Sequence, residues 1–172
     1  SASDRNAYSS DISFVGSLYS EKNPLRRMSG LSDYTKGYLD GIIEAALKIY
    51  GYNPVETALT DEVIAEIKSK ADNFFQLEKE SSVADSDRYV AAHSYIGYQI
   101  AETERIRTLN ALAAHFDVAL YTRSDTSPLK NVRTHGGVQT LTEMPKIFHL
   151  SKINLNMTLK HIQTGLHLRI FD

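Results

Sequence analysis

Short β-branched segments on either side of a long helical stretch constrain this chain more than any other feature. Asp11-Ile-Ser-Phe-Val-Gly16 is β-branched and aromatic and ends on glycine, as a buried strand running into a tight loop does. Phe116-Asp-Val-Ala-Leu-Tyr-Thr122 has the same character, followed by a loop from Arg123 to Pro128. Asn131-Val-Arg-Thr134 is a further short strand that stops at His135-Gly136-Gly137, and Lys152 to Asn156 reads as a buried strand. Between the first two segments the apolar period is helical. Ser32 caps a helix carrying Tyr34, Tyr38, Ile42, Ile43, Ala46, Leu47 and Tyr50, with Gly51 as its stop. Gly37 and Gly41 in that helix predict a close helix crossing, since each costs about 1 kcal/mol against alanine. Thr60-Asp61-Glu62 opens a second helix with Val63, Ile64, Ile67, Ala71, Phe74 and Phe75 on its apolar face. The loop Ser81 to Ser86 leads to a third, from Asp87 to Ala114, with a stripe of Tyr89, Val90, Ile96, Ile100, Ile106, Leu109 and Leu112. Pro145 opens a short helix through Leu150. Strand, helices, strand, loop, strand, helix, strand predicts an α/β fold with an open, Rossmann-like parallel sheet. The expected organisation is one domain over residues 1–172, with a helical insertion of about 32–114 between the first and second strands.

Composition narrows function mainly by exclusion. The 172 residues are 42 % hydrophobic and 23 % charged, enough for one sizeable core. A formal net charge of −2 offers no electrostatic reason to bind nucleic acid or an anionic membrane. There is no cysteine, which rules out disulfides, zinc thiolate sites and thiol nucleophiles. No apolar run approaches the roughly 18 residues of a membrane span, and no signal-peptide pattern opens the sequence. A cytoplasmic protein is expected, with Ser1-Ala2-Ser3 outside its fold. His93, His115, His149, His161 and His167 lack metal-ligand spacing and read as surface or helix-face residues. Glu102, Glu104, Arg105 and Arg107 read as a solvated helix face.

The carboxyl-terminal segment, from Lys152 through Gly165 to Asp172, reads as a strand, a polar turn and the first turns of a helix. A glycine before a helix start makes an anion site, because free N–H groups and the positive dipole end face the ligand. The helix is cut short, so the chain is expected to be a piece of a larger protein.

The loop Gly16-Ser17-Leu18-Tyr19-Ser20-Glu21-Lys22 is similar to the G-x-L-x-x-x-K loop of GT-B glycosyltransferases, and Gly165-Leu-His-Leu-Arg-Ile-Phe-Asp172 resembles their G-x-x-x-x-x-x-E/D segment. With Gly37-Tyr-Leu-Asp-Gly41, Thr142-Glu-Met-Pro145 and Ser151-Lys-Ile-Asn-Leu-Asn156, the chain resembles the glycosyltransferase-like family related to the spore maturation protein CgeB. That resemblance implies a domain binding a nucleotide-sugar donor for transfer to an unknown acceptor, without a bound metal or other cofactor. It implies that Gly16 and Gly165 meet the donor diphosphate, that Lys22 and Arg169 neutralise it, and that Asp172 accepts hydrogen bonds from the ribose. Without the resemblance, Lys22 is a solvated loop charge and Arg169 a surface helix arginine. Asn156 falls where parallel sheets bind ligands, and Tyr121 with Thr122 would line the base pocket. His135-Gly136-Gly137 is either a plain turn or a backbone approach to the donor.

Many retaining GT-B enzymes carry an arginine after the loop glycine, where this chain has Ser17, and a first glutamate where it has Thr164. Both departures remove groups that contact phosphate or sugar. They favour an alternative, a non-catalytic scaffold in spore or cell-surface assembly. No catalytic residue is assigned, because the general base of such enzymes comes from the other domain. A sheet lacking its last strands would expose an edge, and a dimer through that edge is expected.

Overall fold

The computed structural model describes residues 2–75 and 83–162. They divide into two compact units, one containing residues 2–21 and 103–158, the other 22–102 with a short return at 159–162. The helical insertion therefore begins at residue 22, ten positions earlier than its periodicity predicts.

The first unit is an α/β sheet. Its strands β1 (Ser10–Val15), β2 (Val118–Tyr121), β3 (Arg133–His135) and β4 (Ser151–Asn154) lie in the order β3-β2-β1-β4. Every pairing is parallel, with Ile12 beside Val118, Ala119 beside Arg133, and Ser10 beside Ser151. Three helices belong wholly or partly to this unit: α1 (Ala2–Tyr8), the end of a helix reaching Ala113, and α8 (Met144–Leu150), whose Pro145 stands in the first turn. Alternation along the strands supplies two apolar faces. Ile12, Phe14, Val118 and Leu120 pack with Leu109, Leu112 and Ala113, while Ala119 and Tyr121 pack with Ile147, Phe148 and Tyr8. The result is a three-layered, Rossmann-like arrangement. Ser1-Ala2-Ser3 does not lie wholly outside the fold, since Ala2 already begins α1, where Asp4 pairs with Lys146 of α8 at 3.0 Å.

At the amino ends of the strands the charges pair off. Asp117 meets Arg133 at 2.7 Å and Asp11 meets Lys152 at 2.6 Å, the latter ion pair holding the Asp11 carboxyl below its usual range. β4 departs from the expected buried strand: Lys152, Ile153 and Asn154 are exposed, Ile153 by 55 %. The alternation of lysine, isoleucine and asparagine in this strand is that of an edge, not of a central parallel strand, which reads as a continuous apolar run.

The second unit is helical. A 3₁₀ turn (Ser20–Lys22) leads into it, and it holds α2 (Pro24–Arg27), α3 (Asp33–Lys48), α4 (Val55–Ala58), α5 (Asp61–Lys70) and α6 (Val83–Val90). The third predicted helix continues from α6 through a π-helical segment, Ala91–Ile96, into α7 (Gly97–Ala113). Ser32 caps α3 by accepting from the Thr35 N–H, and Thr60 caps α5 by accepting from Val63. Glu66 gathers the Ser32 and Thr35 hydroxyls, and these hydrogen bonds hold its carboxyl below the usual range. The core joins Leu39, Ile42, Ile43 and Ala46 of α3 to Val63, Ile64, Ile67, Val90, Ile96 and Ile100. Tyr34 and Tyr50, placed on the apolar face by periodicity, are exposed instead. Gly37 and Gly41 also correct their expectation, because a Cβ on either would meet nothing within 4 Å. They border an open apolar groove of about 380 Å³ with Tyr38, Ile42, Ala45, Pro54 and Ala58.

Candidate functional site

A parallel sheet places its ligand where neighbouring crossovers leave in opposite directions, beyond the carboxyl ends of the strands. In the order β3-β2-β1-β4 that point lies between β1 and β4. The seam below it is polar. Ser13 donates to the Asn154 side chain at 2.6 Å, Ser10 shares a 3.0 Å hydrogen bond with Ser151, and the Leu155 N–H reaches the Ser13 carbonyl at 2.8 Å.

Gly16 follows β1 directly, its N–H bonded to the Tyr121 carbonyl. A Cβ there would stand 3.1 Å from the Phe14 ring, so close packing accounts for the glycine. The loop then turns over its own hydroxyls. The Leu18 N–H donates to Ser124 Oγ at 2.8 Å, and the Tyr19 N–H donates to Ser17 Oγ at 2.7 Å. Ser17 in turn donates to Glu21 at 2.6 Å, and Thr122 Oγ1 accepts from the Ser124 N–H at 3.1 Å. Tyr19 holds a left-handed φ of 70°, which for a tyrosine costs about 1 kcal/mol. Such strain gathers where surroundings hold a loop in a set shape.

The residue that holds this loop is Arg105, which sequence periodicity assigns to a solvated face. It is 6 % exposed. Its guanidinium lies 4.4 Å from the Tyr19 ring centroid and 5.2 Å from that of Phe14. One terminal nitrogen donates to the Ser17 carbonyl and the other to the Met157 carbonyl, so a single side chain ties the loops after β1 and β4. Burial lowers its pKa, and Tyr19, Glu104 and Glu21 oppose that shift. A guanidinium fork with two carbonyl partners is suited to fixing backbone at a set separation. The signal in the sequence was spacing: Arg105 sits four residues before the buried Leu109 on the same helix face.

Asn156 is exposed two residues beyond β4, on the expected side of the sheet. Tyr121 is not at the surface. It is 2 % exposed, with its ring stacked on His135 at 4.7 Å and tilted against Tyr8 at 6.4 Å. Burial raises the pKa of Tyr121 and lowers that of His135. Gly137 leaves room for Arg123, whose Nε would lie 2.5 Å from an added Cβ. Lys22 closes the 3₁₀ turn in the helical unit with its side chain exposed. Gly165, Arg169, Asp172 and Thr164 lie outside the described residues.

Glu102 is the second charge misassigned to a solvated face. At 5 % exposure it accepts from Asn23 Nδ2 at 2.7 Å and from Arg26 at 2.7 Å. Asn23 is itself fully buried and caps α2. Among the histidines, His93 and His161 pack edge to face instead of standing apart on the surface. Among the described residues, no group of three or more His, Asp or Glu side chains is placed to hold a metal ion, and no helix is long and apolar enough to cross a membrane.

The fold and the loops together define an α/β protein with a Rossmann-like parallel sheet and a built rim at its switch point. No protein-family model, curated protein or solved structure matches the chain.

Proposed function

We propose that this chain is the donor-binding part of a GT-B glycosyltransferase, taking the diphosphate of a nucleotide sugar at the switch point between β1 and β4. The strand order carries this reading, because it sets Gly16 and Asn156 beyond the carboxyl ends of the two paired strands from which the crossovers diverge. The resemblance of the Gly16–Lys22 loop and of the Gly165–Asp172 segment to the CgeB-related family supports it. In this reading Lys22 and Arg169 neutralise the diphosphate, Gly165 offers N–H groups, and Asp172 binds the ribose. The hydroxyls of Ser17, Thr122 and Ser124 form the polar wall of the loop, and Arg105 keeps that wall in place. Transfer itself needs an acceptor and a base that this chain does not identify.

Calorimetric titration with UDP, GDP, TDP and ADP tests the proposal. One of the four is expected to bind, and Lys22→Ala to weaken it about tenfold, as loss of one charge-assisted contact does, with the circular dichroism spectrum unchanged. If none binds, the donor reading fails and the non-catalytic scaffold takes its place. Association along β4 belongs to the same proposal. Exposed Ile153 on an edge strand favours it, and Ile153→Lys should shift a dimer to monomer in sedimentation velocity; a wild type that sediments only as monomer would dismiss it.

A further inference from the structure

The helical unit contains a return segment whose chemistry is unrelated to the donor site. Residues Leu159–Ile162 form a turn closed by the Ile162 N–H on the Leu159 carbonyl at 2.9 Å. Two side chains fasten it. Lys160 Nζ donates to the Ala46 and Leu47 carbonyls at 2.9 and 3.2 Å, at the carboxyl end of α3, and lies 4.6 Å from the Tyr50 ring centroid. A cation there answers the unpaired carbonyls and negative dipole end of the helix.

His161 enters a slot against the π-helical segment. Its ring stands edge-on to His93 at 5.1 Å and to Tyr98 at 6.4 Å. The slot exists because residue 97 is glycine: a Cβ there would lie 2.5 Å from His161 Nδ1. Nδ1 is buried without a hydrogen-bond partner, as is Nδ1 of His93. His93 stacks on Tyr89 at 4.1 Å and directs Nε2 to Glu56 at 3.1 Å. The Glu56 carboxylate is thus engaged on the far nitrogen of His93, and Arg88 donates to the Glu56 and Leu59 carbonyls beside it. The groups that face His161 are an imidazole and a phenol, with the Lys160 ammonium next to it in the chain. Among the described residues, none of these groups is an anion.

We propose that Leu159–Ile162 is an acid-released latch on the helical unit, closed while His161 is neutral and opened when it takes a proton. A protonated ring would place a charge against His93 and bury an Nδ1–H with no acceptor. Burial, with His93 second, lowers the His161 pKa from 6.5 to about 4. The docked state then binds fewer protons than the released state between these values. Docking is therefore undiminished above pH 6.5 and is lost progressively as pH falls toward 4. Between pH 7.5 and pH 5 the shift toward release is about 30-fold.

The absence of cysteine makes the test direct, because Lys48→Cys and Ile162→Cys can be spin-labelled as a unique pair. The interlabel distance distribution should be narrow at pH 7.5 and broaden toward pH 5, while His161→Phe on the same background stays narrow throughout. Gly97→Ala should broaden it already at pH 7.5. An unchanged wild-type distribution down to pH 4.5, or His161→Phe loosening in step with the wild type, would overturn the latch. If His161→Phe fails to dock at all, the NMR titration of the wild-type ring decides. A midpoint lying between about 4 and 6.5, over the same range in which the distances broaden, sustains the proposal, and one near 6.5 overturns it.

Discussion

Arg105→Ala is expected to destabilise the sheet unit by about 3–5 kcal/mol. Two effects add. The Ser17 and Met157 carbonyls lose charged donors inside the protein, at about 1–3 kcal/mol each. The space between the Phe14 and Tyr19 rings is left partly empty, adding a cavity term. For a chain of this length that corresponds to a fall of roughly 10 °C in Tm. Arg105→Lys keeps the charge and the stem but loses the fork, so it should recover less than half of the deficit. Urea titration of the three proteins measures this, and a loss below about 1 kcal/mol for the alanine variant would show that the clamp matters little.

Glu102→Ala comes next, at about 3 kcal/mol. Removing the carboxylate leaves Asn23 without its Glu102 acceptor in full burial and deprives Arg26 of its ion pair. The loss should concentrate at α2, whose cap is the same Asn23. Hydrogen exchange at Arg26 and the residues after it is the local readout, and exchange unchanged from wild type would reject the assignment. Glu102→Gln should cost less, since its carbonyl still accepts one of the two donors.

Both residues explain why part of this fold was legible in the sequence and part was not. The strands were visible because β1 and β2 are short, apolar and bounded by loops, and their separation by helices supplies the crossover that a parallel pairing needs. The caps of α3 and α5 were visible because Ser32 and Thr60 act on N–H groups three residues away. Glu102 and Arg105 were not, since a stripe drawn through apolar residues alone passes over a charge whose partners are remote in the chain. Asn23 lies 79 positions from Glu102, and Ser17 lies 88 from Arg105. The candidate site divides the same way. Gly16 and Asn156 could be placed from their positions just past strands. The wall of Ser17 and Ser124 could not, because it brings together side chains 107 residues apart. Tyr121 shows the limit of strand-end reasoning: the last residue of a strand can point into a helix-covered face as readily as toward a ligand.

The π-helical segment Ala91–Ile96 has a consequence of its own. A wider turn holds one more residue than an α-helix would over the same rise, and each residue swings the helix face by about 100°. Val90 before it and Ile100 after it belong to one core, so the extra residue is taken up inside the wide turn. Deleting one of the six would let the turn close to a regular helix, with Ile100 and Glu102 still facing the neighbours they now meet. The segment therefore works as slack in the helix, intolerant of which residues fill it, since His93, Tyr95 and Ile96 are packed, and tolerant of losing one position.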